Sequence, residues 1–150
     1  MPRCERRQTT VMSADVSGYA RMMARDDIQT LRALFDCIDR IAGLVDGAGG
    51  RIVDAVGDNL LAEFPAPAAA VRCARHVQAM LVERNRSRSP NEQIMFRIGL
   101  HSGSLIAHGD RLFGDVVNVA ARLQSYAEPG HVLLSEAIAS RLEPALEREL

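Results

Sequence analysis

The segment RIVDAVGDNLLAEF, residues 51–64, decides the fold, because it contains two short β-rich runs that meet at Gly57 and Asp58. A Gly-Asp pair between two such runs is typical of a β-hairpin turn. A Gly-rich stretch precedes the hairpin and a Pro-containing stretch follows it. We therefore predict two adjacent antiparallel strands here, with Asp58 at the turn.

Strand and helix patterns alternate on both sides of this hairpin. Residues 9–18 have the pattern of a buried strand that ends in a turn, after which the chain enters a helix. Residues 26–50 have the pattern of an amphipathic helix that begins at the capping pair Asp26 and Asp27. The elements predicted after the hairpin are a helix over 65–85, a strand over 94–107 that bends near Gly103, a helix over 115–127, a strand over 131–135 and a helix over 136–146.

The resulting order, β-α-β-β-α-β and then α-β-α, predicts an α+β fold. Its first six elements match a ferredoxin-like split βαβ core, and the rest are additional α/β elements. Right-handed crossovers place the first and third strands side by side and antiparallel at the centre of the sheet. We expect a single domain over residues 1–150 with a flexible N-terminus over residues 1–8.

Composition excludes several classes of function. The net charge is −1 and aromatic residues make up only 4%, so we expect no nucleic-acid partner. No apolar run approaches the ~20 residues that span a bilayer, and the first ten residues lack a signal-peptide core, so we expect no membrane segment here. The three widely spaced cysteines have no metal-binding spacing and favour reduced thiols in a cytoplasmic protein.

Two distant aspartates are predicted to meet at one edge of the sheet. Asp15 lies near the end of the first strand and Asp58 at the start of the third. Because these strands are antiparallel neighbours, the two carboxylates should converge, where they would repel each other unless a cation or a proton joined them. Mg²⁺ is held by such carboxylates together with substrate phosphates. The alternative is that Asp15 caps a turn and that Gly57 and Asp58 form an ordinary hairpin.

Backbone N–H groups at the turn that follows Asp15, over residues 16–20, could hold phosphate groups. The helix predicted over 115–127 places Asn118 and Arg122 four residues apart on one face. Such a pair belongs to a site only if this face of the helix meets the carboxylate edge, the edge of the sheet where Asp15 and Asp58 are predicted to converge. Otherwise it is part of a solvated helix surface.

Four segments of this sequence, in order, resemble the class III adenylate/guanylate cyclase catalytic domain, in particular its bacterial members. They are SADVSGYARM, GGRIVDAVGDNLLAEFPAPAAAVRCA, FRIGLHSGSLI and LFGDVVNVAARLQSYAEPGHVLLSE. The resemblance covers residues ~9–140 and is most specific at FGDVVNVAARL.

The resemblance implies a role for each matching position. The two metal-binding aspartates fall on Asp15 and Asp58, and the backbone carbonyl of Val16 assists them. The ribose-orienting asparagine falls on Asn118 and the transition-state arginine on Arg122. The phosphate-binding turn falls on Ser17, Gly18 and Tyr19.

The resemblance also implies a head-to-tail homodimer with two equivalent sites at its interface. One subunit would supply Asp15 and Asp58 and the other Asn118 and Arg122. The implied reaction converts ATP to 3′,5′-cyclic AMP and pyrophosphate by attack of the ribose 3′-OH on the α-phosphate. Two Mg²⁺ or Mn²⁺ ions per site would assist it.

Two positions depart from the family pattern. Adenylate cyclases place a Lys four residues before the second metal aspartate, where this chain has Asp54. An acidic residue or Thr is usual seven residues before the asparagine, where this chain has Arg111. An Asp and an Arg can hydrogen-bond the edges of guanine, so GTP is an alternative substrate. Alternatively Asp54 and Arg111 pair with each other and close the base pocket.

Two further readings remain open. The chain is either an active cyclase or a catalytically silent cyclase-homology module that dimerises and regulates an attached partner domain. A diguanylate-type cyclase is disfavoured, because the hairpin lacks a GG[DE]EF-like turn. The C-terminal end of the family domain, with its phosphate-contacting Lys, is expected to be missing or to lie in a longer protein.

Several polar residues are interpreted as structural. His101 and His108 lack a suitably spaced second ligand, so we expect them to have no metal role. Arg84, Arg86 and Arg88 cluster at a helix end, where we expect a solvated basic surface that complements the helix dipole.

Overall fold

The computed structural model describes residues 3–142 of the 150-residue chain. The strands are β1 (Cys4–Val16), β2 (Arg51–Val56), β3 (Asn59–Phe64), β4 (Phe96–His108), β5 (Arg111–Phe113) and β6 (Val132–Leu134). The helices are α1 (Tyr19–Arg25), α2 (Asp27–Gly47), α3 (Pro67–Asn85), α4 (Asp115–Tyr126) and α5 (Glu136–Ala139), and a 3₁₀ turn lies at Pro90–Glu92.

Within residues 3–142, six strands form one sheet in the order β2-β3-β1-β4-β5, with β6 parallel to β4. Strand β1 pairs antiparallel with both β3 and β4. The predicted α+β class, the hairpin at Gly57 and Asp58, and the antiparallel contact between the first and third strands are therefore confirmed. The predicted helix over 136–146 extends beyond the described residues from position 143 onward.

The predicted flexible N-terminus is wrong for residues 4–8. Strand β1 already begins at Cys4, which pairs with His108, and this pairing continues without a break to Val16 and Phe96. This half of β1 lacks the apolar pattern that predicts a strand, because its residues are mostly exposed and polar. The partner strand β4 supplies the hydrogen bonds that order it, and local propensity does not reveal such a partner.

Helices cover both faces of the sheet. On one face, α2 and α3 bury their apolar stripes against β1, β3 and β4, which forms the main core. The buried apolar residues of these helices are Leu34, Cys37, Ile41 and Val45 of α2 and Ala70, Val71, Cys73, Ala74, Val77 and Leu81 of α3. Each large side chain buried in this way stabilises the fold by about 1.5–3 kcal/mol. Helix α2 begins at Asp26, whose carboxylate accepts from the Gln29 N–H at 3.1 Å, as the capping pattern predicts.

Helix α4 packs on the opposite face, where a smaller cluster joins Val116 and Ala120 to Val11 and Leu105. Side chains alternate between the faces of a strand, so Asp15 shares the face of Val11 rather than that of the main core. The close approach of α4 depends on Gly99, because a Cβ there would collide with backbone atoms of Gln124 and Ala120.

The interpretation of the basic cluster as a solvated surface is wrong for one of its members. Arg84 is 8% exposed, whereas Arg86 is exposed and pairs with Glu83. Arg84 is buried because the loop after α3 folds back over it, and its guanidinium donates to the carbonyl of Glu92 at 3.3 Å. The spacing of residues along a helix does not predict this burial, because the loop that buries Arg84 is a separate segment.

No helix within residues 3–142 has both the length and the apolar composition that crossing a bilayer requires. Cys4, Cys37 and Cys73 are free thiols. Burial raises the pKa of the Cys73 thiol to about 11, so this thiol remains protonated at neutral pH.

Candidate functional site

Two predicted site residues meet at the margin of the sheet. Asp58 lies in the turn between β2 and β3, and its Oδ2 accepts a hydrogen bond from the Val16 N–H at 3.3 Å. Val16 directly follows Asp15 at the end of β1, so Asp58 is hydrogen-bonded to the residue next to the second carboxylate, that of Asp15. The antiparallel pairing of β1 with β3 produces this meeting, because it aligns Ala14 with Leu60 just inside the edge.

The environment of Asp58 disfavours its charged form. Burial raises the pKa of Asp58, and the nearby charge of Asp15 raises it further, although backbone hydrogen bonds and Arg97 act in the opposite direction. Two carboxylates held this close are stabilised by a positive charge between them. The site can therefore attract a cation.

Arg97 already supplies one positive charge to this pair. Its Nε donates to Asp15 Oδ1 at 3.0 Å and its Nη2 to Asp15 Oδ2 at 2.7 Å, a bidentate ion pair. The Asp15 side chain is only 15% exposed and that of Arg97 28% exposed. The Nη1 group of Arg97 donates to the Ser125 carbonyl at 3.1 Å, which links the carboxylate edge to the C-terminal end of α4.

The predicted phosphate-binding turn has fewer free donors than expected. Gly18 adopts a left-handed conformation with φ of 72° and precedes the first residue of α1, Tyr19. The Ser17 N–H, however, donates to the Met95 carbonyl at 2.8 Å, so this amide is not available to a phosphate. The amides of Gly18 and Tyr19 and the Ser17 hydroxyl are the groups that remain.

Asn118 and Arg122 lie on α4 and are exposed. The face of α4 that contacts the sheet carries Val116, Ala120 and Gln124. The side chain of Gln124 accepts from Ser13 Oγ at 3.3 Å and so fixes this face toward β1. Asn118 and Arg122 are therefore directed away from the sheet, and one subunit does not bring them against its own two aspartates.

The two positions that depart from the family pattern do not pair within the described chain. Asp54 is exposed on β2 and Arg111 is exposed on β5, at the two ends of the five-strand path. The Arg111 guanidinium instead stacks over the Phe113 ring, 5.1 Å from its centroid. The alternative in which Asp54 and Arg111 pair and close the base pocket is not found within one chain, because the two residues occupy opposite edges of the sheet.

The oxygen ligands at this edge fit a hard divalent cation whose coordination is completed by groups from outside the protein. Asp15 and Asp58 offer carboxylate oxygens, and an oxygen that accepts one hydrogen bond keeps a second lone pair for a metal. Within residues 3–142, no group of three or more His, Cys, Asp or Glu side chains is placed to hold an ion. Mg²⁺ and Mn²⁺ suit such a partial site, because substrate phosphates and water complete their coordination.

Sequence reasoning missed Arg97, although its position carries a signal. Asp15 and Arg97 are directly opposed in the register of β1 and β4, so aligning these two strands in the sequence would have paired them. His101 has a partner within the fold, since its Nδ1 lies 2.8 Å from Ser135 Oγ. Burial lowers the pKa of His101, which keeps the ring neutral at physiological pH.

Comparison with known proteins bears on the role of this site. The model of the Adenylate and Guanylate cyclase catalytic domain family matches residues 2–149. The chain is 34% identical over 137 residues to the putative adenylate cyclase 3 of Rhizobium meliloti (strain 1021), covering 89% of this chain and 23% of that protein. It is 31% identical over 137 residues to an adenylate cyclase of Streptomyces coelicolor, covering 91% of this chain and 34% of that protein.

Among solved structures, this fold is similar to an adenylate/guanylate cyclase/hydrolase from Silicibacter pomeroyi. The TM-score is 0.85 at 36% identity, and the match covers 92% of this chain and 81% of that one. The chain thus spans most of a solved structure but only about a quarter to a third of the two curated relatives.

Proposed function

This chain belongs to the adenylate and guanylate cyclase catalytic domain family, and we propose that it cyclises a purine nucleoside triphosphate, with ATP as the main substrate. The products would be the 3′,5′-cyclic nucleotide and pyrophosphate. The observation that carries this proposal is the meeting of Asp58 with the Asp15–Val16 end of β1, where Asp58 Oδ2 accepts from the Val16 N–H at 3.3 Å.

Asp15, Asp58 and the Val16 carbonyl are the groups that would hold two Mg²⁺ or Mn²⁺ ions. When bound, the ions lower the pKa of the ribose 3′-OH and neutralise the charge of the leaving phosphates. Burial and the charge of Asp15 both disfavour the charged form of Asp58 and raise its pKa, and a bound cation would offset both effects. Arg97 holds both oxygens of Asp15 and so sets the orientation of that ligand.

The other roles follow from residue chemistry at the positions that match the family. Arg122 would donate to the oxygens of the α-phosphate as negative charge builds there. Asn118 would orient the ribose, and Gly18, Tyr19 and the Ser17 hydroxyl would contact the phosphates. Positioning and charge stabilisation of this kind do most of the work in phosphoryl transfer.

The proposed assembly is a head-to-tail homodimer with two shared sites. Its support is geometric, because Asn118 and Arg122 are exposed on the face of α4 that does not contact the sheet. They can meet Asp15 and Asp58 only if these belong to a second subunit. A two-fold dimer repeats that contact and gives two equivalent sites.

Mixing two inactive variants tests both the chemistry and the assembly. Asp58→Ala and Arg122→Ala should each abolish formation of cyclic nucleotide from ATP or GTP with Mn²⁺. When they are mixed in equal amounts with exchange of subunits, random pairing restores about a quarter of wild-type activity, since half of the dimers carry one intact site of two.

Two results would contradict the proposal. Failure of the mixture to recover activity, with mixed dimers detected, would show that the four residues do not form a shared site. If the wild-type chain forms dimers but makes no cyclic product from either nucleotide, it is the catalytically silent module.

GTP is the second candidate substrate, and the side-chain chemistry at positions 54 and 111 favours it. Asp54 and Arg111 are exposed at opposite edges of the sheet, so contact of both with one base would require the assembly to bring these two edges to it. An Asp accepts from the N1–H and the amino group of guanine, and an Arg donates to its O6 and N7. Direct competition between ATP and GTP for product formation distinguishes the two substrates.

The wider setting of the domain is also proposed. A cytoplasmic location agrees with the free thiols and with the nucleotide substrate. A fused or associated regulatory domain agrees with the small share of its curated relatives that this chain spans.

A further inference from the structure

A cavity of about 390 Å³ lies between α2, the C-terminal end of α3 and the loop that carries the 3₁₀ turn. It is separate from the carboxylate edge at Asp15 and Asp58, neither of which lines it. Its walls include four arginines and only two acidic residues. The charged lining residues are Arg32, Arg40, Arg84, Arg88, Asp36 and Glu92.

The two acidic residues do not neutralise the cavity. Asp36 pairs with Arg40 at 3.3 Å along one face of α2. Glu92 accepts from the amide of Gln29 at 3.1 Å and so has a neutral partner. Four guanidinium groups against two carboxylates leave a net charge of +2 on the lining.

Arg84 is the member of the group that most needs a counter-charge. It is 8% exposed, and its Nη1 donates only to neutral oxygens, Asn85 Oδ1 at 3.2 Å and the Glu92 carbonyl at 3.3 Å. Its Nε is buried without a hydrogen-bond partner in the described part of the chain. A buried guanidinium that has no anionic partner is unfavourable, so this position favours a bound anion.

Arg88, four residues later in the loop after α3, has the same feature. Its Nε is also buried and lacks a hydrogen-bond partner among residues 3–142. Buried polar groups in native proteins nearly always have partners, so two unpaired guanidinium N–H groups at one cavity are exceptional. Burial raises the pKa of the neighbouring Cys37 thiol, and Arg84, Arg40 and Arg88 all oppose that rise, which shows that their charges gather around one point.

We propose that this arginine-lined cavity binds a small phosphate-bearing anion, at a site distinct from the nucleotide site. Guanidinium groups match phosphate oxygens through paired, charge-assisted N–H bonds. The volume accommodates a free phosphate or the phosphoryl group of a small phosphomonoester. The anion satisfies the unpaired N–H groups of Arg84 and Arg88 and offsets the net positive lining. This inference does not depend on the proposed catalytic activity.

Thermal unfolding of the full chain tests the site, with inorganic phosphate and glycerol 3-phosphate as separate probes and chloride at matched ionic strength as the reference. At about ten times its dissociation constant, a bound anion raises the Tm by about 4 °C. Arg88→Gln should weaken the affinity about tenfold, since it removes a charged hydrogen-bond donor. In chloride alone, Arg88→Gln should unfold at or above the wild-type Tm, because it relieves repulsion among the arginines.

Two control variants locate the effect. Arg86→Gln removes a charge from the same stretch but outside the cavity lining, and it should keep the full response. Arg122→Gln should also keep it, which separates this cavity from the nucleotide site. Arg32→Gln, at an exposed part of the lining, should weaken the response and provides a second variant if Arg88→Gln unfolds.

The outcomes decide the proposal in either direction. A response to glycerol 3-phosphate but not to phosphate identifies the ligand as an organic phosphomonoester, and the reverse identifies a free phosphate. No response beyond that of chloride, or a loss in Arg86→Gln equal to that in Arg88→Gln, overturns the proposal. Loss of the response in Arg122→Gln would also overturn it, by assigning the anion to the nucleotide site.

Discussion

Arg97 donates two hydrogen bonds to Asp15, from Nε to Oδ1 at 3.0 Å and from Nη2 to Oδ2 at 2.7 Å. Asp58 accepts a hydrogen bond from the N–H of Val16, the next residue of β1. The hydrogen bonds to Asp15 and the charge of its carboxylate raise the pKa of Arg97, so the guanidinium stays charged. One guanidinium thus partly offsets two neighbouring carboxylates. This relationship links the stability of the fold to the proposed metal site.

Replacement of Arg97 by Leu should make stability depend on a divalent cation. It removes charge-assisted hydrogen bonds and leaves two like charges together, so we expect a loss of about 2 kcal/mol of unfolding free energy without metal. Mn²⁺ should restore part of that loss by supplying the missing positive charge. Urea unfolding with Mn²⁺ or with a chelator measures both effects.

The matched control for Arg97 is Arg86→Leu, since Arg86 forms an exposed ion pair with Glu83. Such surface pairs contribute about 0–1 kcal/mol. If Mn²⁺ stabilises Arg97→Leu no more than it stabilises the wild type and Arg86→Leu, Asp15 is not part of a cation site.

Gly99→Ala should separate α4 from the sheet. A Cβ at this position meets the backbone of Gln124 and Ala120, which cannot rotate away as a side chain would. We expect a loss of at least about 2 kcal/mol in unfolding free energy. Gly43→Ala is the control, because a Cβ at this position in α2 meets nothing within 4 Å. Its unfolding free energy should rise by about 1 kcal/mol, because Ala favours a helix more than Gly does. Equal stability of the two variants would contradict the close packing of α4.

Glu63 should make the fold sensitive to acid. Its carboxylate accepts from Arg7 at 2.8 and 3.0 Å and pairs with Arg51 at 3.0 Å. Burial acts to raise the pKa of Glu63, but these arginine contacts outweigh it and hold the pKa below the ordinary value of 4.5. The folded chain therefore binds fewer protons than the unfolded chain between these two pKa values.

The sign of the pH effect follows from that difference. The stabilisation by Glu63 is fully present above pH 4.5 and is lost as the pH falls through the lower, folded-state pKa. Glu63→Gln should cost about 1 kcal/mol at pH 7, because it replaces charge-assisted hydrogen bonds to two partly exposed arginines with neutral ones. The difference from wild type should shrink as the pH drops below 4.5, which urea unfolding across a pH series measures. A difference that is constant with pH would show that Glu63 acts only by packing.

The charges at positions 54 and 111 should set the choice of base. The double variant Asp54→Lys with Arg111→Asp has the charge pattern that adenylate cyclases of this family use. We expect the ratio of ATP to GTP turnover to rise at least about tenfold, because the exchanged side chains leave hydrogen-bonding groups of guanine without a partner. Product formation with both nucleotides present measures the ratio.

An equal exchange of charges away from the site controls for general electrostatics. Asp39→Lys with Arg86→Asp makes the same change at an exposed position of α2 and at the exposed residue that follows α3. It should leave the ratio of ATP to GTP turnover unchanged. If the two double variants behave alike, Asp54 and Arg111 do not contact the base.

The sequence by itself determined the order of elements, apart from the short strand β5 that it did not reveal, and the placement of the two aspartates. Hydrophobic periodicity defined α2, α3 and the hairpin, because apolar spacing follows directly from the period of a helix or strand. The antiparallel relation of β1 and β3 then brought Asp58 to the end of β1, as the hydrogen bond from Val16 to Asp58 shows. These features depend on local patterns and on general rules of chain connection.

Only the tertiary structure decided which charges are compensated. The pairing of Asp15 with Arg97, the burial of Arg84 and the separation of Asp54 from Arg111 each depend on contacts between segments far apart in the chain. The N-terminal half of β1 likewise became a strand because β4 supplies its hydrogen bonds. A charged side chain has the same local pattern whether water or another segment covers it, so its surroundings emerge only when the chain is folded.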